Sequence, residues 1–392
     1  MNKVAYNLLY YFISLSYFFF KKAAKFIHLF YKNKENSDIY FLTENNIGTN
    51  IRLIKIAKAL NLKNKKPILI IHKNISDYNK YKNLFKKIVY YRNLFELIHI
   101  VLSTGKNPLH AYVEGNLREI FLANIFKINN FFFDNYDQVS EIWDNNLKSI
   151  IEKIIIFNSI NITRSKELNL LKNKKIKYIF FSDYISDLNT SEKKLIKKIN
   201  KKTIDVCYVG KLKEANEWDD LNTYDPNFNE TIIWFSKFRK INLHIFPSKA
   251  LSNISFKNYF NLCKKYKNIS FNKNFEYSKL LKKISYYDCG IIVFPIDNWP
   301  NQRARKKYKY AMGNKIFDYL GSGLISIFPF YNKRKVNWFT SKYLEKYNAC
   351  CYIDKNWNED KIIKIIRKHQ KKLKISNIKR NLVYSHIDRL LS

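Results

Sequence analysis

Residues 312–323 read MGNKIFDYLGSG, and three of the chain's 8 glycines fall within them. At ordinary usage a chain of this length carries about 27 glycines. Under such depletion, Gly313, Gly321 and Gly323 mark places where a Cβ is unwelcome. The stretch follows the apolar run 288–294 (DCGIIVF) and leads into 324–328 (LISIF). Strand, glycine turn, helix and strand make a βα unit. Gly313 and Asn314 open its helix, where free N–H groups and the macrodipole favour an anion. Lys315 adds a mobile positive charge. Asp318 falls one turn after Asn314 on the same face, placed to accept hydrogen bonds from a sugar diol. In a plainer reading, Asp318 offsets the helix dipole and Lys315 is solvated.

The same rhythm extends outward in both directions. Upstream lie the strand-like runs 39–43, 67–71, 87–91, 108–113, 130–134 and 177–181, separated by helical patterns such as 50–60 and 138–156. The runs are continuously apolar, without period-two alternation, as expected of strands buried on both faces of a parallel sheet. Residues 184–203 turn polar and Lys-rich. The rhythm then restarts at 205–209, 241–246, 288–294, 324–328 and 348–353. We therefore expect an α/β protein with two Rossmann-like, doubly wound domains facing a cleft. The expected boundaries are 36–185 and 200–370, with a C-terminal helix over 371–392. Ligands of such sheets bind beyond the carboxyl ends of the strands.

The N-terminal segment 1–34 has its own pattern. The run LLYYFISLSYFFF at 8–20 is shorter than the ~20 residues a spanning helix needs. Asn7, Ser14, Lys21 and His28 recur every seven residues, while Leu8, Leu15, Phe19, Phe26 and Phe30 occupy the other face. This predicts an amphipathic helix lying in a membrane interface, aromatic face down and lysines toward the headgroups. The alternative is a helix that covers the domain behind it.

Charge is extreme: 71 Lys plus Arg against 32 Asp plus Glu give +39. Only 11 of the 71 are Arg, the residue suited to bidentate base and phosphate contacts, and the lysines spread along the whole chain. That argues against specific nucleic-acid binding and for general attraction to anionic surfaces. The 5 cysteines lack C-x-x-C spacing, so neither a disulfide framework nor a zinc site is expected. A hydrophobic fraction of 46% excludes disorder.

The segment NKIFDYLGSGLIS at 314–326 resembles the donor site of GT-B fold glycosyltransferases, notably the retaining glycosyl transferases group 1. Matching positions are Lys315, Asp318, Tyr319, Leu320 and Gly323. The likeness continues upstream through 275–295 and through CYVGKL at 207–212, which sets Gly210 and Lys211 in a donor-phosphate loop. In the first half, 47–60 resembles the opening glycine loop and helix of that family, and gives Gly48, Asn50 and Arg52 as acceptor-side residues. NPLHAYV (107–113) and FFFDNYD (131–137) resemble its acceptor-side strands, so His110, Glu114 and Asp137 are the candidates for catalysis. Tyr310 stands eight positions before Asp318, where the longer signature has Glu.

The resemblance implies a hexosyltransferase-type enzyme that moves a sugar from a nucleotide-sugar donor to a glycan or lipid-linked acceptor. The setting would be cell-surface polysaccharide or lipopolysaccharide synthesis, at the cytoplasmic face of a membrane. The sequence contains no D-x-D motif, so a metal-independent reaction is expected, with no cofactor beyond the nucleotide sugar, and the resemblance implies retention of the anomeric configuration. Competing readings are a sugar-nucleotide epimerase or polyol-phosphate polymerase, and a basic nucleic-acid-binding protein. The basic run 303–309 (RARKKYK) would attract a diphosphate-linked or polyanionic acceptor, or is simply solvated.

Overall fold

The computed structural model describes residues 3–31, 37–44, 46–47, 50–113, 117–135, 147–164, 176–210, 212, 228–247, 253–273, 275–292, 312–313, 315–330 and 339–391. The chain divides into two units, residues 1–186 with 383–392, and residues 187–382.

The first unit holds seven strands: β1 (Tyr40–Thr43), β2 (Ile68–His72), β3 (Lys87–Tyr91), β4 (Leu109–Val113), β5 (Phe131–Asn135), β6 (Ile160–Thr163) and β7 (Lys177–Phe180). Their spatial order is β3-β2-β1-β4-β5-β6-β7 and every pairing is parallel. Leu42 of β1 lies between Ile70 and Ala111, and all three are fully buried. Helices on the faces of the sheet bury these strands, which is why they read as unbroken apolar runs.

The second unit repeats the plan with six strands: β8 (Ile204–Gly210), β9 (Ile241–Pro247), β10 (Ile269–Phe271), β11 (Cys289–Ile291), β12 (Ile325–Pro329) and β13 (Cys350–Ile353). Their order is β10-β9-β8-β11-β12-β13, again all parallel. Both sheets thus follow the Rossmann order, in which the winding reverses beside the first strand. The reversal falls between β1 and β4 in one unit and between β8 and β11 in the other. Two short strands escaped the sequence reading. β6 has only four residues, and its second, Asn161, is a buried polar residue. β10 has three, too few for any period to show.

Local signals start several helices. Asn50, Asn93, Ser191 and Asn358 each accept a hydrogen bond from the backbone N–H three residues on, at 2.9–3.3 Å. Each satisfies one of the orphan donors of a first turn. In the second unit, Arg367 fastens the helix Glu359–Lys372 to the sheet. Its guanidinium reaches the buried Asp288 carboxylate at 2.8 Å and the carbonyls of Lys198, Lys201 and Thr203.

The tail expected as one helix over 371–392 is broken instead. The helix Glu359–Lys372 ends at Leu373, a short helix covers Ile375–Lys379, and a 3-10 segment spans Val383–Leu390. The last segment belongs to the first unit. Val383 N–H donates to the Ile185 carbonyl at 2.9 Å, His386 stacks on Tyr184 at 3.9 Å, and Asp388 pairs with Lys63. Val383, Ile387 and Leu390 are buried there, and burying them fixes the fold-back.

The N-terminal helix spans Lys3–His28, and none of the described helices is long and apolar enough to cross a membrane. It packs on the helices Arg118–Phe126 and Leu147–Phe157. The contacting face corrects one expectation. Lys21 and His28, read as facing headgroups, point into the protein. Lys21 Nζ donates to the carbonyls of Asn124 and, at 2.7 Å, Lys127, while His28 Nε2 meets the Phe126 carbonyl at 2.8 Å. Those carbonyls end the helix Arg118–Phe126 and have no partner within it, so cations suit them in both hydrogen bonding and dipole. Tyr17 completes the contact by donating to Asn124 Oδ1 at 2.7 Å. The aromatic face is left outward, with Leu8, Phe12, Leu15, Phe19, Phe26 and Phe30 each more than half exposed.

All five cysteines are free and buried. Burial pushes the Cys207 and Cys289 thiols above their ordinary range, so neither is a ready nucleophile.

Candidate functional site

The second unit gathers four sequence-predicted features where its winding reverses. Gly210 closes β8 with φ +140°, a conformation that L side chains rarely adopt. A Cβ there would lie 2.4 Å from Lys315 Nζ and push that flexible ammonium aside, while the positive φ is what requires glycine. Lys315 begins the helix Lys315–Gly321, with Gly313 just before it. Its ammonium lies 4.3 Å from the centre of the Tyr208 ring and donates to the Tyr208 hydroxyl at 3.1 Å. Asp318, in the first turn of the same helix, accepts a 2.5 Å hydrogen bond from the Tyr277 hydroxyl.

Tyr319 holds this corner together. Its hydroxyl accepts from the Val209 N–H at 3.1 Å and donates to the Ile291 carbonyl at 3.3 Å. It therefore ties the carboxyl ends of β8 and β11, the two strands that flank the reversal. The ring lies flat on Gly290, where a Cβ would come within 2.4 Å of it. Gly323 (φ +69°) then turns the chain toward β12 against Thr190 and Leu195. Lys198 donates to the carbonyls of Ser322 and Gly323 at 3.1 and 3.0 Å, capping the same turn. Gly210, Lys315 and Asp318 are thus brought together, with Tyr319, one of the positions of the family resemblance, and with Tyr208 and Tyr277 as supports that the sequence did not single out. A signal for Tyr277 existed: it starts a helix (Tyr277–Ile284) in the stretch that carries the family resemblance. Lys211 and Asn314 lie outside the described residues, as does the basic run 303–309.

The first-unit candidates fare differently. Asn50 caps its helix through Oδ1, and Arg52 is 4% exposed. Arg52 donates to Asp134 at 2.6 Å, to Asp183 at 2.8 Å and to the Phe181 carbonyl at 2.6 Å. Burial alone would lower the guanidinium's pKa, but the two carboxylates hold it above its ordinary value, so it stays charged. The arrangement is an internal clamp joining the helix Ile51–Leu62 to β5 and to the segment after β7, with no face presented to a ligand.

His110 is corrected more sharply. It occupies the amino half of β4 rather than the end that faces a ligand, and it is 1% exposed. Its ring stacks on Phe132 at 4.4 Å, and neither ring nitrogen has a partner among the described residues. Burial drives its pKa down to about 3, so the imidazole is neutral and offers no surface base. Gly48, Glu114 and Asp137 lie outside the described residues.

The titratable group that does stand at the β1/β4 reversal is Glu44, the residue directly after β1. Its Oε1 accepts from the Ile120 N–H at 3.3 Å, while Oε2 is buried without a hydrogen bond among the described residues. Burial, helped by the charge of Glu119, pushes the Glu44 pKa up to about 8. Glu119 in turn accepts from Arg118 at 2.7 Å. A buried carboxyl whose pKa is moved toward neutrality suits proton transfer. The sequence offered one clue to Glu44, its place between a strand and a glycine loop. No His, Cys, Asp and Glu grouping among the described residues has the arrangement of a metal site.

No protein-family model and no curated protein sequence matches the chain. Solved structures do match. The Anabaena protein HepE, crystallised in complex with UDP and glucose, superposes with a TM-score of 0.60 at 9% identity, covering 90% of this chain and 97% of its own. The same protein in complex with UDP-glucose gives 0.58 at 10% identity, covering 90% and 98%. At such identity the likeness concerns the fold. Together with the two sheets, it defines a two-domain α/β protein of GT-B architecture. What HepE binds belongs to HepE.

Proposed function

We propose that the chain is a glycosyltransferase that takes a sugar from a nucleotide-sugar donor and passes it to a glycan or lipid-linked acceptor at a membrane surface. The observation that carries this reading is the convergence of Gly210, Lys315 and Asp318 at the β8/β11 reversal. This is where open α/β sheets receive nucleotides. The UDP and UDP-glucose complexes of HepE support it.

In the proposed reaction, Asp318 receives the ribose hydroxyls, its carboxylate oriented by Tyr277. Lys315 faces the diphosphate, supplying the positive charge that stabilises the leaving group as the bond to the sugar breaks. Gly210 lets the end of β8 approach the same phosphates. On the acceptor side, Glu44 replaces His110 as the candidate for holding or moving the acceptor's proton. No resident cofactor is needed beyond the nucleotide sugar, and we expect the anomeric configuration to be retained. The product at a cell surface would be a polysaccharide or lipopolysaccharide.

Thermal-shift screening with UDP, GDP, CMP and their sugars tests the reading. One nucleotide should stabilise the parent, and Lys315→Ala and Asp318→Ala should each lose that response. Equal stabilisation of parent and both variants would sink the donor-site assignment. Analysis of the products from the binding nucleotide sugar then separates transfer to an acceptor from epimerisation of the donor.

A further inference from the structure

The outward face of the helix Lys3–His28 is the largest feature that the proposed chemistry leaves unused. Leu8, Phe12, Leu15, Phe19 and Phe26 recur at steps of three, four and seven, which sets them on one side of the helix, and Phe30 lies in the turn that follows it. They are 57–73% exposed, and the helix is about 39 Å long at 1.5 Å per residue. The opposite side is occupied: Tyr17, Lys21 and His28 are spent on the end of the helix Arg118–Phe126. The helix therefore cannot roll to hide its aromatic side without giving up those bonds.

Beside that face lies a cavity of about 340 Å³ whose lining is almost wholly apolar. Phe12 and Phe20 of the N-terminal helix form one wall, and Ile98, Phe121, Leu122 and Ile125 form the others. Phe12 belongs to both the cavity and the outward stripe, so the two are continuous. Phe95, 85% exposed, lies one turn before Ile98 and extends the same apolar surface.

Charge selects the occupant. Lys22 and Lys25 flank the stripe in solvent, and the Lys22 ammonium lies 4.6 Å from the Phe18 ring centre, its stem along the aromatic surface. A second copy of a chain carrying +39 would be repelled from this face, whereas an anionic bilayer is attracted to it.

We propose that this helix docks the protein in the plane of an anionic phospholipid bilayer, aromatic stripe inward, and that the cavity receives one acyl chain of a bilayer lipid. The inference deepens the membrane-surface part of the function proposed above and needs neither nucleotide nor activity. It keeps the polarity expected from the sequence, aromatic face toward the bilayer, and changes only the residues left for headgroups, because Lys21 and His28 hold the protein while Lys22 and Lys25 remain in solvent.

The test uses the full chain and vesicles of phosphatidylcholine with or without phosphatidylglycerol. The parent should sediment with the anionic vesicles, less so with neutral ones or at high salt. Phe19→Ser with Phe26→Ser, at exposed positions, should weaken binding at least tenfold. Leu122→Trp, which fills the cavity, should weaken it severalfold with the stripe intact. A Trp at the cavity mouth, Phe20→Trp, should be quenched by lipids brominated deep in the chain at least as strongly as by lipids brominated near the headgroup. Equal vesicle binding by the parent and the double variant overturns the docking surface. Quenching of Phe20→Trp only by shallow bromines, or unchanged binding of Leu122→Trp, overturns the acyl-chain site. A parent that dimerises through the stripe and ignores vesicles overturns both. Nucleotide-induced stabilisation, read without vesicles in the same samples, reports the donor reading separately.

Discussion

The Tyr277 hydroxyl donates a 2.5 Å hydrogen bond to the Asp318 carboxylate, joining the start of one helix to the first turn of another. The bond fixes the direction of the carboxylate that we propose receives the ribose. An acid held this way is better preorganised than one free to rotate. Tyr277→Phe should therefore weaken binding of the preferred nucleotide by about fivefold to tenfold, the worth of one orienting hydrogen bond to a charged group. Titration calorimetry against the parent and Asp318→Ala checks this, with Asp318→Ala expected to lose more.

Gly210 tests the same corner from the backbone. Gly210→Ala places a methyl group on Lys315 and a side chain at φ +140°. We expect a loss of about 1–3 kcal/mol in the stability of the second unit. Nucleotide stabilisation should vanish as Lys315 is displaced. Urea unfolding and thermal shift on one preparation read the two effects, and full nucleotide response in this variant would count against Lys315 as a phosphate ligand.

His110 should prove dispensable. The neutral imidazole is buried against Phe132 with no hydrogen bond among the described residues, so His110→Leu removes two unsatisfied nitrogens from the core. Stability is expected to rise by about 1 kcal/mol, with transfer activity unchanged. A large loss of turnover in a folded His110→Leu protein would restore it as a catalytic residue.

Arg52 should matter for folding. Removing it strands the Asp134 carboxylate in the interior and leaves Asp183 with the more distant Arg164 at 3.7 Å, and Arg52→Ala should cost about 3–5 kcal/mol in the first unit. Denaturant titration followed by a probe in that unit measures the loss. A cost below about 1 kcal/mol would mean that the clamp is not structural.

Two lysines give the first unit a dependence on pH. Burial lowers Lys127 to about 7 and Lys21 to about 8, against an ordinary value of 10.5. Between those values and 10.5 the unfolded chain holds more protons than the folded one, so stability rises with pH across that window. Below about pH 7 both states are protonated and the dependence flattens. Urea midpoints at pH 7 and pH 9.5 should differ in favour of the higher pH, and Lys127→Met should reduce the difference.

The strand rhythm could be read because strands buried on both faces are written as apolar runs, and even short strands set in such runs were legible for that reason. β6 and β10 were not: Asn161 and Thr163 interrupt the apolar character of β6, and β10 is three residues set among asparagines and lysines. At the candidate site, Gly210, Lys315 and Asp318 were legible because glycine is scarce in this chain and its few positions report backbone demands. His110 misled because a histidine in a strand looks the same whether it ends at a ligand or under a phenylalanine. Tyr277 and Glu44 were missed because their partners, Asp318 at 2.5 Å and the Ile120 N–H at 3.3 Å, lie 41 and 76 residues away.

The amphipathic period of residues 3–28 divides clearly at the level of sequence, for it depends only on residue order and helical pitch. Which side would meet the protein was decided by tertiary structure alone. The carbonyls that bind Lys21 and His28 exist as unpaired acceptors only once the helix Arg118–Phe126 has formed and ended beside them. The same holds for residues 312–323: their glycines announced a tight turn at once. That the turn opens beside Tyr277, Tyr208 and the end of β8 followed only from the winding of the sheet.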